Sequence, residues 1–423
     1  MRIAFYEKDI TPPLGGYLQG YYRKHEAEDV LDTLHVRCAV FEKDGQAAAA
    51  VSIDVCLLPD DLHDTVTARI REYTGIPAEN VLLSANHTHK GLPIGDSPEL
   101  NAFGDEAFKD VVYRLIADCV TLAWRRLKEG KVYYAVGKAE GVSFCRNYER
   151  PDGTYVTWAR EEGLKPINQV DPEVPFLFVR DKENKPCGAL VTFACHQDCV
   201  PGSLYSGDYS HVLSDELKKV YGPDFITVFL PGACGDINHI DPKIRKMPPD
   251  TYQKIGRALA ETVLEKAEDA AFVGDFVGVS KKRFPARRRM LTDEEYFRQI
   301  EQYAREQKMY TVRNLAYYHA CVKNPDIFVW LQCFRIGDAM LYGYPGEVFS
   351  DFGRDLKKRS PASMNLVATL CNTYCGYIAT RIAHDEKSRL YEKDLCFGAC
   401  LEVETGYRIN EALLDMAKEL KGK

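Results

Sequence analysis

The chain has 423 residues, of which 45% are hydrophobic and 28% charged, a balance typical of a soluble, enzyme-sized protein and unlike that of disordered or collagen-like chains. It carries 55 Lys and Arg against 62 Asp and Glu, a formal charge of -7, and its basic runs are no longer than RRR and KKR. This charge balance argues against a nucleic-acid partner, and the absence of an apolar run of about 18 residues argues against a transmembrane span.

The N-terminus, MRIAFYEKDITPP, enters a strand pattern at once and shows no signal segment, so we expect a cytoplasmic protein. Elsewhere in the chain, three pairs of cysteines have C-x-x-x-C spacing: Cys195/Cys199, Cys371/Cys375 and Cys396/Cys400. Zinc ribbons and redox motifs use C-x-x-C instead, and a cytoplasmic chain is kept reduced. We therefore expect buried thiols.

Hydrophobic periodicity predicts alternating strands and helices. In chain order these are strands at 2–6, 34–41 and 47–55, a helix at 62–73, a strand at 81–84, a helix at 106–128, strands at 132–136, 176–179 and 189–194, a helix at 210–220, a buried strand opening FITVFLPGACGD (225–236), a helix at 252–267, a helical hairpin or lid at 291–323, strands at 328–334 and 339–342, and a strand, turn and helix in YPGEVFSDFGRDLKK. No repeat or low-complexity linker interrupts them, so a single domain over residues 1–423 is expected.

The stretch SANHTHKGLP places His87 and His89 two residues apart after a strand. In an extended backbone both rings lie on the same side, and zinc sites use such pairs. The motif alone is weak evidence for a metal, because such histidines are often only hydrogen-bonded.

Three further polar residues follow predicted strands or turns: His196 in TFACHQD, Glu347 at the first turn of a helix in YPGEVFSDFG, and Tyr377 in NTYCGYIATR. Each has a structural alternative. The histidine could be hydrogen-bonded in the core, the glutamate could favour a helix N-terminus, and the tyrosine could be a core aromatic.

Taken in order, DITPPLGGYLQGY, SANHTHKG, the His196 strand, FLPGACGDINHID, YPGEVF and NTYCGY…YE resemble the catalytic N-terminal domain of the neutral/alkaline (non-lysosomal) ceramidase family, from Asp9 to about Glu392. The resemblance implies an α/β fold of mixed β-sheets packed together with helices on the outside. The chain is expected to be a short form without the family's C-terminal β-sandwich domain.

The resemblance also implies residue roles. It implies one zinc ion held by His87, His196, Glu347 and Tyr377. On the substrate side it implies His89, Arg146 in SFCRNYE and Tyr391 as donors toward the carbonyl or oxyanion. Cys145 stands where the family usually has Asn.

Zinc lowers the pKa of a bound water to about 7 and offsets charge on a carbonyl oxygen, so the implied reaction is hydrolysis of an amide. Two carboxylates are candidates to support a ligand histidine. Asp236 lies in the glycine turn of FLPGACGD, where it is equally well explained as a turn cap, and Asp208 lies in SGDYSH at a helix start.

The substrate remains open between ceramide, a sphingolipid, and another small-molecule or lipid N-acyl compound. Two alternatives remain open as well. One is a non-catalytic binding protein on the same fold. The other is a metal-dependent amidohydrolase acting on a non-lipid amide, which also begins with H-x-H but needs a barrel of eight regular strand–helix units; the irregular pattern here disfavours that barrel.

Overall fold

The computed structural model describes residues 1–21, 25–95, 106–395 and 400–422. Its strands, in chain order, are β1 (Arg2–Asp9), β2 (Asp29–Val30), β3 (His35–Lys43), β4 (Gln46–Ile53), β5 (Val81–Ala85), β6 (Lys128–Lys138), β7 (Phe144–Cys145), β8 (Asn147–Glu149), β9 (Tyr155–Thr157), β10 (Lys165–Pro166), β11 (Glu173–Asp181), β12 (Pro186–Phe193), β13 (Leu204–Tyr205), β14 (Ile226–Pro231), β15 (Ile237–Asn238), β16 (Ala271–Phe272), β17 (Val277–Arg287), β18 (Asp326–Ile336), β19 (Ala339–Gly343), β20 (Glu347–Val348), β21 (Met364–Ala368) and β22 (Tyr377–Ile378). The helices are α1 (Leu62–Thr74), α2 (Glu106–Trp124), α3 (Asp208–Tyr221), α4 (Thr251–Lys266), α5 (Asp293–Arg305), α6 (Met309–Cys321), α7 (Ser350–Arg359) and α8 (Thr405–Lys421).

The larger sheet contains nine strands in the order β14-β12-β11-β6-β1-β3-β4-β5, with β16 paired to β6. Its side chains alternate between two faces, as the period of a strand requires. Along β3, Cys38 and Val40 belong to a core cluster under α1 and α2, whereas Ala39 and Phe41 belong to the cluster on the opposite face. The sheet curls so that β14, at one end, lies against β4 and β5 at the other.

A smaller sheet, in the order β17-β18-β19-β21, packs on that opposite face. Leu341 and Leu366 from the smaller sheet share one buried cluster with Ala48 and Leu190 from the larger. Four more helices cover outer faces, with α3 and α4 on one part of the larger sheet and α7 and α8 against the smaller. Two packed mixed sheets with outer helices confirm the predicted fold class, and they are not the barrel that the amidohydrolase alternative requires.

Most predicted elements are present with shifted ends. The helix predicted to reach residue 128 ends at Trp124, and β6 begins at Lys128. The charged segment 291–323 forms two helices packed on each other. The first has a capping box in which Thr292 and Glu295 each bond the other's backbone amide. The hairpin is therefore confirmed, while its role as a lid stays a prediction.

Nine of the twelve cysteines whose side chains are described are buried, and Cys187, Cys375 and Cys400 are partly exposed. Cys396, in the third of the C-x-x-x-C motifs, lies outside the described residues. None of the helices in the described ranges combines the length and apolarity needed to cross a bilayer.

Candidate metal centre

His87 follows β5 and is held by the loop after β4. Its amide donates to the carbonyl of Val55 at 3.0 Å and its Nδ1 to the carbonyl of Cys56 at 2.9 Å. Because a carbonyl can only accept, Nδ1 carries the proton and Nε2 presents a lone pair. The backbone of His87 has φ 72°, a left-handed conformation that is unusual for residues other than Gly and that clusters at functional sites.

His196 follows β12 and is oriented in the same way. Its Nδ1 donates to the carbonyl of Ile237 at 2.9 Å, which again leaves Nε2 as the unprotonated nitrogen of the neutral ring. An isolated parallel bridge between Thr88 and Gln197, with the amide of His89 donating to the Gln197 carbonyl at 2.9 Å, brings the two histidine segments together. The ring centroids of His87 and His196 are 4.7 Å apart.

Glu347 and Tyr377 are directly opposite each other in the parallel pair β20–β22. Glu347 was predicted at the first turn of a helix. It lies instead in a two-residue strand, and α7 begins only at Ser350, because Phe349 still has the extended backbone of a cap residue. This extended geometry turns the carboxylate toward the histidines, and Tyr374 donates to its second oxygen, Oε1, at 3.0 Å.

The Nε2 atoms of both histidines converge on Oε2 of Glu347, at 3.3 Å from His87 and 3.2 Å from His196. Two ligand atoms bound tetrahedrally at about 2.0–2.1 Å from one zinc ion lie roughly 3.3 Å apart, so the observed separations fit a shared ion. The buried Nε2 of His87 also has no hydrogen-bond partner among the described residues. Two imidazole nitrogens and a carboxylate are a donor set that zinc accepts, and these three residues can hold a metal.

The electrostatics of the three residues favour a positive charge at their centre. Burial alone would raise the pKa of Glu347, but the two histidines outweigh it and hold that pKa well below its usual range. Burial lowers the pKa of His196 to about 4, and Arg146 contributes further. Burial also opposes charge on His87, yet Cys56 and Glu347 hold its pKa well above the ordinary value, so a metal that binds Nε2 must displace a proton from this ring.

Arg146 lies between β7 and β8, and the pairing of β7 with β15 places it beside the glycine turn. Its Nη2 donates to the Gly235 carbonyl at 2.6 Å and to the Tyr377 hydroxyl at 3.2 Å, while Nη1 lies 3.3 Å from Nε2 of His196. The ring of Tyr391 lies under the guanidinium, with Cζ of Arg146 5.1 Å from the ring centroid, and the hydroxyls of Tyr391 and Tyr377 are 3.2 Å apart. The structure therefore brings both residues to the histidine–glutamate cluster.

His89 lines the same cavity, whose volume is about 250 Å³. Both of its ring nitrogens are buried and lack a hydrogen-bond partner within the described part of the chain. Burial lowers its pKa to about 3, so the ring is neutral at pH 7 and carries one N–H donor and one acceptor nitrogen. Gly20 packs against this ring, because a Cβ built there would lie 2.5 Å from Nδ1 of His89.

The two candidate supporting carboxylates have other partners. Asp236 accepts from the amide of Ser350 at 2.7 Å and from its hydroxyl at 3.0 Å, so it fastens the start of α7, while the neighbouring Ile237 carbonyl orients His196. Asp208 does begin α3, as predicted, but its carboxylate accepts from the amides of Cys199 and Val200 and shapes the loop after His196. The sequence predicted that one of these carboxylates bonds a ligand histidine, but in the structure backbone carbonyls form those hydrogen bonds.

Sequence reasoning assigned no role to Glu392, which is fully buried and accepts from Arg146 Nε at 3.0 Å, Asn147 Nδ2 at 3.0 Å and Thr157 Oγ1 at 3.2 Å. Its position next to Tyr391 in the Y-E motif was the available signal. Trp158, stacked on Tyr391 at 5.0 Å, gave no such signal.

No protein-family model matches the chain. Solved structures with the same fold include two ceramidases. The neutral ceramidase from Pseudomonas aeruginosa is 21% identical, with a TM-score of 0.77 over 100% of this chain and 74% of that protein. A ceramidase complexed with C2 is 19% identical, with a TM-score of 0.75 over 100% of this chain and 75% of that protein. The fold implied by the ordered motifs is therefore confirmed as that of the neutral ceramidases.

Proposed function

We propose that this chain, which has the neutral-ceramidase fold, is a zinc-dependent hydrolase of linear amide bonds. Its substrate would be the N-acyl bond of a ceramide or a related N-acylated compound. The proposed zinc ligands are His87, His196, Glu347 and Tyr377. The observation that carries the proposal is the convergence of two buried Nε2 atoms on one carboxylate oxygen at 3.2 and 3.3 Å, with no described residue forming a hydrogen bond to the Nε2 of His87.

A zinc ion held there would supply Lewis acidity, which lowers the pKa of water and offsets negative charge on a carbonyl oxygen. The protein's own residues do the rest. The backbone carbonyls of Cys56 and Ile237 hold the two histidines in the tautomer that presents Nε2. Tyr377 would complete the set from the strand beside Glu347. Burial, with the Glu347 charge, keeps the pKa of its phenol well above the usual value even though Arg146 opposes that rise.

The remaining side chains orient the substrate. Arg146 keeps its charge because Tyr391, Tyr377 and Glu392 outweigh the cost of burying it, and its pKa is raised. It and the neutral His89 would donate to the carbonyl oxygen as negative charge develops, a contribution usually of about 3 kcal/mol per donor. Tyr391, stacked on Trp158, would form the wall against which the amide is placed.

The test combines metal analysis with an amide panel. Purified protein is measured for bound zinc and then assayed on ceramides of different acyl length, N-acyl amino acids and acylated amino sugars. We expect about one zinc per chain and turnover of at least one of these classes. Both should be lost in His87→Ala and Glu347→Ala and kept in His319→Ala, a partly exposed histidine on α6.

Protein without zinc whose amidase activity is unaffected by His87→Ala would refute the proposal. Zinc bound at these residues without turnover of any amide would instead favour the non-catalytic binding protein.

A further inference from the structure

A second cavity, of about 520 Å³, lies between α5, the loop after β17 and the segment 384–395. Among the described residues that line it, four side chains are basic and one is a carboxylate, with His384 beside them: Arg287, Arg288, Arg289 and Lys393 against Glu402. The RRR run of the sequence, which has no part in the metal centre, therefore lines a cavity with a large excess of positive charge.

The fold holds these basic groups close together. Arg289 Nη1 donates to Nδ1 of His384 at 3.2 Å, and its Nη2 donates to the backbone carbonyl of Lys393. Burial lowers the pKa of Arg289 and of Lys393. For His384, burial and these two cations lower the pKa to about 3. Like charges gathered in a partly desolvated place cost free energy unless an anion joins them.

Three acidic groups lie nearby among the described residues, and Asp60 is close enough to Arg288 for the arginine to oppose the rise in the Asp60 pKa that burial causes. Glu402 Oε1 lies 3.5 Å from Arg287 Nε near the outside of the cavity. Asp394 accepts from the Tyr303 hydroxyl at 2.7 Å, a contact that fastens α5 to the segment carrying Tyr391. The protein's own carboxylates thus leave the cavity with more cations than anions.

We infer that this cavity binds a phosphate group, carried by inorganic phosphate, a soluble phosphate monoester or a lipid headgroup. Guanidinium groups bind phosphate oxygens through paired hydrogen bonds, and a doubly charged anion matches several arginines better than a single carboxylate does. The volume leaves space for the organic part of a small phosphate ester. Lys393 shares a 3-10 turn with Tyr391 and Glu392, so an occupied cavity would also fix the turn that supports Arg146.

The experiment measures binding of inorganic phosphate and glycerol 3-phosphate to the full chain by calorimetry and by thermal shift. The test variant is Arg288→Glu. The matched control is Arg283→Glu, an exposed arginine on β17 that lies over the Phe328 ring, outside the cavity. We expect the ligands to raise the unfolding temperature of the wild type, and Arg288→Glu to weaken binding about tenfold or more, because a charge-assisted contact is lost and a repulsion is added. The control should bind as the wild type does.

A second variant, Arg287→Glu at the exposed side of the cavity, keeps the test decisive if Arg288→Glu does not fold. Flotation with phosphatidylglycerol vesicles distinguishes the sources. Binding to vesicles but not to soluble phosphates, lost in the cavity variants, assigns the site to a lipid headgroup. The inference is overturned if both cavity variants bind phosphates and vesicles as well as the wild type does. It is also overturned if the wild type binds neither the phosphates nor the vesicles.

Discussion

Glu392→Gln isolates the ion pair that positions Arg146. The substitution keeps the shape of the side chain and an oxygen that can accept from Arg146 Nε, but it removes the negative charge. The side chains of this pair are 0% and 4% exposed. Because Asn147 Nδ2 donates to the same oxygen as Arg146 Nε, the new amide N–H₂ would face the hydroxyl of Thr157, which donates to the other oxygen of the present carboxylate.

Removing one partner of a buried ion pair commonly costs about 3–5 kcal/mol, because the other charge stays buried without compensation. Because Gln keeps one acceptor, and Arg146 also bonds the carbonyl of Gly235, we expect a loss near the lower end, about 3 kcal/mol of unfolding free energy. If Arg146 is an oxyanion donor, its displacement should also lower kcat by about 10²–10³-fold.

The assay is urea unfolding of Glu392→Gln together with kcat on the substrate found in the amide panel. The matched control is Glu404→Gln, which removes an equivalent glutamate from an exposed pair with Arg381, joined at 2.8 Å. Solvent screens that pair, so little change is expected. If Glu392→Gln were no less stable than the control and equally active, the buried pair could not be what positions Arg146.

Three further outcomes are expected. Gly20→Ala should lower activity about 100-fold, because the new Cβ displaces the His89 ring. The control Gly45→Ala, at a similar positive φ but with open space around it, should show only the backbone strain of about 1 kcal/mol, and equal activities of the two variants would contradict this prediction. Tyr374→Phe removes the hydrogen bond to the proposed ligand carboxylate and should weaken zinc binding about 10–100-fold in a chelator competition, and unchanged affinity would count against that role. Burial lowers the pKa of Lys281 to about 8, so between that pH and the lysine's ordinary pKa of 10.5 the unfolded chain binds more protons than the folded chain. The free energy of unfolding should therefore rise by at most about 3 kcal/mol over this pH window in the wild type but not in Lys281→Met. Parallel curves of unfolding free energy against pH for the two proteins would refute the shift.

Periodicity predicted most strands and helices because their faces are strongly divided between core and solvent. It missed β17, in which Lys281, Lys282 and Arg283 interrupt the alternation, and it placed Glu347 in a helix because a glutamate after Pro-Gly is a common helix start. A two-residue strand is defined by its partner, here β22, and no local pattern can predict it.

The residues of the site were predicted from the order of the motifs, since local spacing could not select them. Tyr377, for example, comes beside Glu347 only through strand pairing. Glu392 was missed because its contact with Arg146 joins positions 246 residues apart, and nothing near Glu392 in the sequence indicates a buried cation. The role of Asp236 changed for a related reason: the carbonyl of Ile237, which orients His196, belongs to the backbone and has no sequence signature.

The four proposed ligands are divided between the two layers of the fold. His87 follows a strand of the larger sheet, and Glu347 follows a strand of the smaller one. The distance between the layers is set by side chains that never reach the metal centre, among them the small methyl groups of Ala48 and Ala50. A bulkier residue there would push the sheets apart and stretch the ligand set from a distance, so the tolerance of this enzyme candidate to mutation should be lowest in an apolar layer that takes no part in its chemistry.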